Sequence, residues 1–295
     1  MKKILFTLSM AVTAVLFNSC EEIDGDFFRV VTIDSRCEAF NFEPTPTNPK
    51  RNILIEDFTG HLCPNCPAAA QVAKELEEAN DGQVIVMTIH PGIHPGGSGF
   101  SSTTALEGFT YDFTTEAGSE IDAAFDAAQG GLPNGMINRR DFNGNLLLGS
   151  SKWPAAVEAA KNLEAMSYME VQARYQEDDD EIICIDTRID ILQLYSSDLI
   201  MVTTVIEDSI VKFQRDGAET IEDYVHMHVL RDAPLGAFGV PVGSAPYGSS
   251  DEFTQRISIE KGSDWVAKNL KVISYIYDKN TNEILQVAEN HVEIE

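Results

Sequence analysis

Basic residues are scarce in this sequence of 295 residues. Lysine and arginine total 21 against 47 aspartates and glutamates, which sets the net charge at −26 at pH 7. A surface of that sign repels nucleic acid, so the composition argues against DNA or RNA as a partner. Residues 166–295 contain no G-x-S-x-G, P-loop or G-x-G-x-x-G motif, and no catalytic constellation stands out there.

Long apolar runs are also missing, apart from one at the start. Two lysines precede residues 4–17, a run too short to span a bilayer but typical of a signal peptide. The run ends at Ser19-Cys20, and a small residue before a cysteine there resembles a bacterial lipoprotein cleavage site. The resemblance implies that residues 1–19 are removed and that Cys20 carries a lipid anchor to the outer membrane. An ordinary signal peptide with an unrelated cysteine is the alternative.

Residues 20–49 are predicted to connect this anchor to the folded body. The acidic run 21–26 is similar to the surface-export signal of Bacteroidetes lipoproteins, and it equally suits a solvated tether. A strand is predicted at 27–33. The proline-rich stretch 43–49 indicates a linker to the unit that follows.

Two of the five cysteines lie at the start of a predicted helix. Strands are predicted at 53–58 and 83–90, and strong helix formers fill 68–78 between them, directly after Cys63-Pro64-Asn65-Cys66. Unpaired N–H groups and the helix dipole stabilise a thiolate at such a position. The spacing therefore predicts Cys63 as an attacking thiolate and Cys66 as the thiol that resolves a mixed disulfide.

Two other roles for this cysteine pair stay open. The pair could bind a metal with His61, His90 or His94, although no second C-x-x-C or H-x-x-x-H follows in the sequence. It could also be a purely structural disulfide.

The segment from Asp57 to Cys66 resembles the thioredoxin superfamily, because an acidic residue precedes the first cysteine by six positions. The resemblance implies that Asp57 is buried beneath the pair and relays a proton to Cys66. It implies a cis proline facing the cysteines, for which Pro133 is the match. It also implies protein thiols or disulfides as partners and no cofactor. Leu62 departs from the family, which usually has tryptophan there.

An unusually long insertion separates the second predicted strand from Pro133. It contains a glycine-rich loop at 91–99, an aromatic stretch at 109–113 and a predicted helix near 119–128. Long loops inside compact domains are more often functional than idle. We expect this insertion to lie over the cysteines as a lid that faces substrate.

Beyond residue 165 the pattern changes from helical to alternating. Seven strands are predicted, at 169–175, 182–192, 199–207, 224–230, 253–259, 270–277 and 284–291. The predicted fold class is therefore an α/β thioredoxin-like domain at residues 50–165, followed by an all-β immunoglobulin-like sandwich at residues 166–295.

Side chains on two of these strands attract attention. Cys184 and Cys37 could form a structural disulfide in an oxidising compartment, or they could be two free thiols. His226 and His228 alternate along one predicted strand, on a face that we expect to point outward into solvent.

The whole layout resembles the 28-kilodalton outer-membrane-protein-related lipoproteins of Bacteroidetes. The matching segments are residues 54–60, 63–67, 132–133, 137–139, 226–231 and 277–279. The resemblance implies a lipid-anchored protein of the outer membrane, facing the periplasm or the cell surface.

Three functions follow as hypotheses, and the oligomeric state stays open. The leading one is thiol–disulfide oxidoreductase activity on envelope or extracellular proteins, with Cys63, Cys66, Asp57 and Pro133 in the roles given above. The second is a non-enzymatic surface protein that binds or adheres to a partner and has a static Cys63–Cys66 disulfide. The third is a metal carrier that uses both cysteines and a histidine.

Overall fold

The computed structural model describes residues 33–92, 99–101, 106–176 and 181–294. The predicted signal peptide, Cys20, His94 and nearly all of the strand expected at 27–33 lie outside these ranges. Within the described residues, none of the helices has the length and apolar character needed to cross a membrane.

The described residues form thirteen strands and three α-helices. Those of the first half are β1 (Ile53–Phe58), α1 (Cys66–Ala79), β2 (Val84–Ile89), α2 (Glu116–Phe125), β3 (Asn134–Ile137) and α3 (Trp153–Lys161). Those of the second half are β4 (Ser167–Gln176), β5 (Ile182–Ile191), β6 (Leu199–Glu207), β7 (Ile210–Asp216), β8 (Glu219–His226), β9 (Val229–Asp232), β10 (Val240–Pro241), β11 (Glu252–Glu260), β12 (Leu270–Asp278) and β13 (Ile284–Ile294). The protein is thus mixed α/β, with few helices.

One large sheet runs through both halves of the chain. Its strand order is β11-β5-β4-β13-β12-β6-β9-β2-β1-β3, and β10 pairs beside β6. The halves meet where Thr88 of β2 pairs in parallel with Val229 of β9. One sheet therefore contains strands from both halves, although the sequence predicts a domain boundary at residue 165.

The first half places apolar side chains on both faces of this sheet, because helices or other strands cover both. Ile53, Ile55, Val84 and Val86 pack against α1 and α3, whose inner faces present Ala69, Ala73, Val157 and the buried Trp153. The opposite face, with Leu54, Phe58, Met87 and Ile89, packs against α2 and against β6 and β12. Continuous apolar strands of this kind are typical of a parallel pair buried on both sides.

The second half has its own core and one long-range covalent link. Ile183, Ile185, Ile189 and Ile191 lie in one cluster with residues of β4, β6 and β12. On the other face of β5, Cys184 forms a disulfide with Cys37, across 147 residues of sequence. This bond ties the N-terminal segment to the sheet.

The prediction of one continuous strand at 224–230 is wrong, because two strands share this segment. β8 ends at His226 and β9 begins at Val229, and His228 between them has a left-handed φ of +57°. β8 pairs instead with β7 in a separate two-stranded sheet. His226 and His228 are therefore only 5% and 8% exposed, not turned outward as expected, because the β7–β8 hairpin docks on the first half of the chain.

A buried ion pair holds the two halves together beneath β1. Arg139, just after β3, donates to both carboxylate oxygens of Glu56 at 2.7–3.2 Å and to the hydroxyl of Tyr275 on β12 at 2.9 Å. Neither charged side chain is exposed to solvent. Removal of one partner would leave an uncompensated charge inside the sheet.

We predict that Arg139→Met lowers the free energy of unfolding by roughly 3 to 5 kcal/mol, as is typical when one partner of a buried pair is removed. Arg140→Met is the matched control. Arg140 bonds Glu283 at 2.8 Å with a side chain that is 45% exposed, so its loss should cost less than about 1 kcal/mol. Urea denaturation of the oxidised protein measures both values, and equal values for the two variants would contradict the assigned role of Arg139.

Candidate functional site

Cys63 and Cys66 form a disulfide in the loop between β1 and α1. Cys66 is the first residue of α1, and its N–H donates to the carbonyl of Cys63 at 3.3 Å. Proline at the first turn suits a position where an N–H has no helical partner. Cys63 is 1% exposed and Cys66 is 2% exposed, so the bond lies beneath the surface.

The β7–β8 hairpin covers this loop. The N–H of Arg215 donates to the carbonyl of His61, and that of Gly217 donates to the carbonyl of Pro64, both at 2.8 Å. The side-chain amide of Gln214 donates to the carbonyl of Cys63 at 3.1 Å and to that of Gly60 at 3.3 Å. A bulge between Lys212 and Gln214 interrupts the register of β7, and bulges commonly redirect a side chain in this way.

The insertion packs on the other side of the loop. Leu62 donates its N–H to the carbonyl of Phe100 at 3.0 Å, and Ser101 donates its hydroxyl to the carbonyl of Thr59 at the same distance. A Cβ on Gly60 would lie 2.7 Å from that carbonyl oxygen of Phe100, so only glycine fits there. The insertion therefore contacts the cysteine loop, and its expected role as a lid that faces substrate stays a prediction.

Asp57 lies near the end of β1 and is buried on the side of the sheet that faces α1. Its Oδ1 is buried and has no hydrogen-bond partner among the described residues. Burial raises the pKa of Asp57 to about 7, although the charge of His228 opposes the shift. At neutral pH this carboxyl can therefore both accept and release a proton.

Three histidines surround Phe113 beside the cysteine loop. The ring centroids of His226, His90 and His61 lie 4.4, 4.6 and 5.4 Å from that of Phe113. Burial lowers the pKa of His226 to about 4 and holds the pKa of His90 well below its usual range, so both rings are neutral. No group of three or more His, Cys, Asp or Glu side chains in the described part of the chain is arranged to hold a metal.

His228 belongs to a different, charged cluster. Its ring nitrogens lie 3.4 Å from carboxylate oxygens of Glu77 and Asp208. Burial lowers the pKa of His228, but the hydrogen bond and charge of Glu77 outweigh it and the net shift is upward. The carbonyl of His228 also accepts from the N–H of Thr88 at 2.8 Å, at the junction of the two halves.

A cavity of about 660 Å³ lies between α1 and β8. Its inner wall includes Asp57, Cys66 and Thr88, and its outer rim includes exposed residues of both elements. The remaining lining residues are Thr59, Pro67, Ala70, Gln71, Ala73, Lys74, Glu77, Glu78, Val86, Gln214, Tyr224, Val225, His226, Met227 and His228.

The predicted site residues are partly brought together. Cys66 and Asp57 share the cavity wall, and Cys63 is bonded to Cys66. The Leu132–Pro133 peptide is cis, and Pro133 directly precedes β3, whose Asn134 pairs with Phe58. Gln214 and His226 were missed as site residues, because their contacts depend on the docking of a hairpin that is distant in sequence.

One family model matches more than half of the chain. The family model described as "Outer membrane protein Omp28" matches residues 119–295. No curated protein matches the chain. The structure titled "HBP35 of Porphyromonas gingivalis" is similar with a TM-score of 0.63 at 14% identity, over 82% of this chain and 76% of that one, which shows likeness of fold alone.

A shorter structure matches more weakly. It is described as a domain of the outer membrane lipoprotein Omp28 from Porphyromonas gingivalis, with a TM-score of 0.32 and 19% identity. The match covers 44% of this chain and 91% of that one.

The raised pKa of Asp57 predicts how the free energy of unfolding depends on pH. Its pKa is about 7 when folded against an ordinary value of 3.8, so the folded state holds the proton more tightly and loses stability as pH rises between those values. Through this group the protein should lose roughly 3 kcal/mol between pH 4 and pH 7.

Asp57→Asn should remove that dependence, and its stability relative to the unchanged protein should rise steadily over this interval. Urea denaturation at a series of pH values tests this. Asp223→Asn, at an exposed position of β8, is the control that should follow the unchanged protein. A difference between Asp57→Asn and the unchanged protein that does not vary with pH would contradict the assignment.

Proposed function

We propose a redox function for this chain, which belongs to the Omp28 family of outer membrane proteins. The protein is therefore located at the outer membrane. We propose further that Cys20 carries the lipid anchor and that the body acts on protein thiols or disulfides of the envelope or the extracellular space. The cysteine pair, Asp57 and Pro133 are the residues assigned to the chemistry.

The arrangement of the first half supports a thioredoxin-like domain. β1 and β2 are parallel, β3 is antiparallel to β1, and α1 connects β1 to β2 with the cysteine pair at its start. In the second half, the long antiparallel pairs of β4, β5, β6, β11, β12 and β13 are consistent with an immunoglobulin-like unit. The second unit would then be joined to the first through β9.

The observation that carries the redox proposal is the buried carboxyl of Asp57. A buried polar atom without a partner costs about 1–3 kcal/mol, and a structural disulfide needs no acid beside it. Perturbed carboxyls in clefts are typical of functional sites. Asp57 lines the same cavity as Cys66, where a proton must leave and return in each redox cycle.

The chemistry begins with the reduced pair. The Cys63 thiolate attacks a substrate disulfide, one substrate sulfur leaves as a thiolate, and a mixed disulfide forms. Cys66 then gives its proton to the Asp57 carboxylate and attacks the sulfur of Cys63. The Cys63–Cys66 bond forms, the second substrate sulfur leaves, and two electrons have passed to the substrate. The reverse sequence oxidises a substrate dithiol.

A protein substrate needs the β7–β8 hairpin to move, because Cys63 lies beneath it. Its attachment to the loop is two backbone hydrogen bonds and the amide of Gln214, and the hairpin also packs on Phe109 and Phe113 of the insertion. Hydrogen bonds of this kind contribute about 0.5–1.5 kcal/mol each, and we propose that the hairpin opens as a local unit without global unfolding. Pro133 would then shape the groove that receives the substrate.

The burial of both cysteines favours a second candidate function. A disulfide that no partner reaches would be a static staple, and the protein would act as a non-enzymatic surface protein that binds a partner. The reduction potential of the Cys63–Cys66 pair separates the two functions.

We expect a potential between roughly −120 and −270 mV, the range of thiol–disulfide oxidoreductases. Equilibration of the protein in glutathione or dithiothreitol buffers, followed by alkylation and mass spectrometry, measures it. The Cys37–Cys184 bond is the internal comparison in the same sample. A potential below about −300 mV would establish the static disulfide instead.

We also predict that Gln214→Ala accelerates reduction of the pair by a protein dithiol about 5- to 30-fold. The variant removes one to two hydrogen bonds that hold the hairpin over Cys63, and 1–2 kcal/mol corresponds to that factor. Thr220→Ala, at the exposed end of β8, is the control and should leave the rate unchanged. An unchanged rate for Gln214→Ala would show that hairpin opening does not limit access.

A further inference from the structure

We propose that the cavity between α1 and β8 admits low-molecular-weight thiols, which exchange with the disulfide at Cys66 while the hairpin shields Cys63 from proteins. This inference rests on the proposed redox function and names a second substrate class for the same pair. It reverses the expected order of attack, since the sequence predicts Cys63 as the reacting sulfur.

The cavity connects the protein surface with the disulfide. Its rim includes Lys74 and Glu78, whose side chains are 60% and 65% exposed, and Val225, which is 48% exposed. Its inner wall includes Cys66 and Asp57, which are almost fully buried. A volume of about 660 Å³ lies in the usual range for small-molecule sites and is far too small for a folded protein domain.

The two cysteines differ in their access from this cavity. Within the part of the chain that the structure describes, Cys66 lines the cavity and Cys63 does not. The amide of Gln214 donates to the carbonyl of Cys63, and backbone N–H groups of the hairpin donate to the carbonyls of His61 and Pro64 on either side. A small nucleophile that enters from the cavity therefore meets the Cys66 side of the disulfide first.

Three cavity-lining residues have a buried polar atom without a hydrogen-bond partner among the described residues: Oδ1 of Asp57, Nε2 of His226 and Nδ1 of His228. Nδ1 of His228 lies 3.4 Å from a carboxylate oxygen of Asp208, so the atoms of Asp57 and His226 are the two that suit a thiol. The ring of His226 is neutral, because burial lowers its pKa to about 4, so one ring nitrogen has a free lone pair. A thiol S–H can donate to that nitrogen, and Asp57 can exchange the proton.

The charge of the chain favours uncharged or cationic thiols. Within the lining, Glu77 and Glu78 stand against Lys74 and His228, and Asp57 adds a negative charge whenever it has released its proton. The net charge of −26 on the whole chain acts in the same direction on an approaching anion.

The exchange balances as two steps. A small thiolate attacks the sulfur of Cys66, the bond to Cys63 breaks, and Cys63 leaves as a thiolate that takes a proton from Asp57. A second small thiolate attacks the small sulfur of the mixed disulfide and releases Cys66, which is then protonated. Two small thiols become one small disulfide, and the protein pair gains two electrons.

The first test compares rates of reduction of the full-length protein, in detergent, by excess 2-mercaptoethanol. Ala70→Phe fills the cavity and should slow the reduction at least tenfold. Ala68→Phe, on an exposed position of the same helix outside the cavity lining, should not. Equal rates for the two variants would overturn the proposal.

The second test does not depend on the folding of Ala70→Phe. Cys63→Ser leaves only Cys66 at the site, and Cys66→Ser leaves only Cys63. With bis(2-hydroxyethyl) disulfide, mass spectrometry should show adduct formation on Cys66 at least tenfold faster than on Cys63. Faster reaction at Cys63 would refute entry through the cavity.

A reduction potential in the oxidoreductase range with preferred attack at Cys63 would leave the proposed function intact and remove this inference alone. A potential below the oxidoreductase range would instead remove the proposed function. Charge selection is tested with cysteamine and 3-mercaptopropionate at equal thiolate concentrations. Cysteamine should react faster, and preference for the anionic thiol would contradict the assigned lining.

Discussion

The pairing of backbone groups in the loop from Gly60 to Pro64 is the constraint on which the site depends. Buried carbonyls need hydrogen-bond donors, and local N–H groups reach those of Gly60 and Cys63 but not those of His61 and Pro64. The β7–β8 hairpin, more than 140 residues later, supplies two backbone donors to the latter pair, and the amide of Gln214 adds bonds to the former. The same contacts that satisfy the loop also bury the disulfide, so the stability of the loop and the accessibility of its sulfurs are coupled.

The well-packed sheet around this loop offsets the cost of the buried polar groups beside it. Asp57 and His90 are buried with unpartnered polar atoms, each at a cost of about 1–3 kcal/mol. Beneath them, the Glu56–Arg139 pair and Tyr275 join strands from both halves, and helices α1 and α3 pack on the opposite face. A site of this kind resembles others in which local strain or desolvation is supported by a stiff scaffold.

Much of the fold could be predicted from local pattern. β1, α1 and β2 are recognisable because an apolar run, a run of helix formers and a second apolar run follow one another. β4 and β11 show alternation of burial, and β5, β6, β12 and β13 are rich in β-branched and other apolar residues. The spacing of Cys63 and Cys66 indicated them as candidate site residues, and the resemblance to the thioredoxin superfamily indicated Asp57. These features need only neighbours in sequence.

The placement of the β7–β8 hairpin could not be predicted in this way. A bulge breaks the alternation in β7, and the histidines at 226 and 228 have the spacing of an ordinary outward strand face. Their burial results from a long-range contact, and a left-handed residue at His228 ends the apparent strand. Continuity of the sheet through Thr88 and Val229 is equally invisible to local periodicity, since it joins the edges of two units by a single residue pair.

The Cys37–Cys184 disulfide has a mechanical consequence. With a lipid on Cys20, as proposed, any pull between the membrane and the body enters the fold at Cys37 and passes through the covalent bond to β5. β5 lies near one edge of the large sheet, and β1 with its cysteine loop lies near the other. The force then acts on β5 and its neighbouring strands, and not on β1. The disulfide can in this way keep tension away from the loop that contains Cys63 and Cys66.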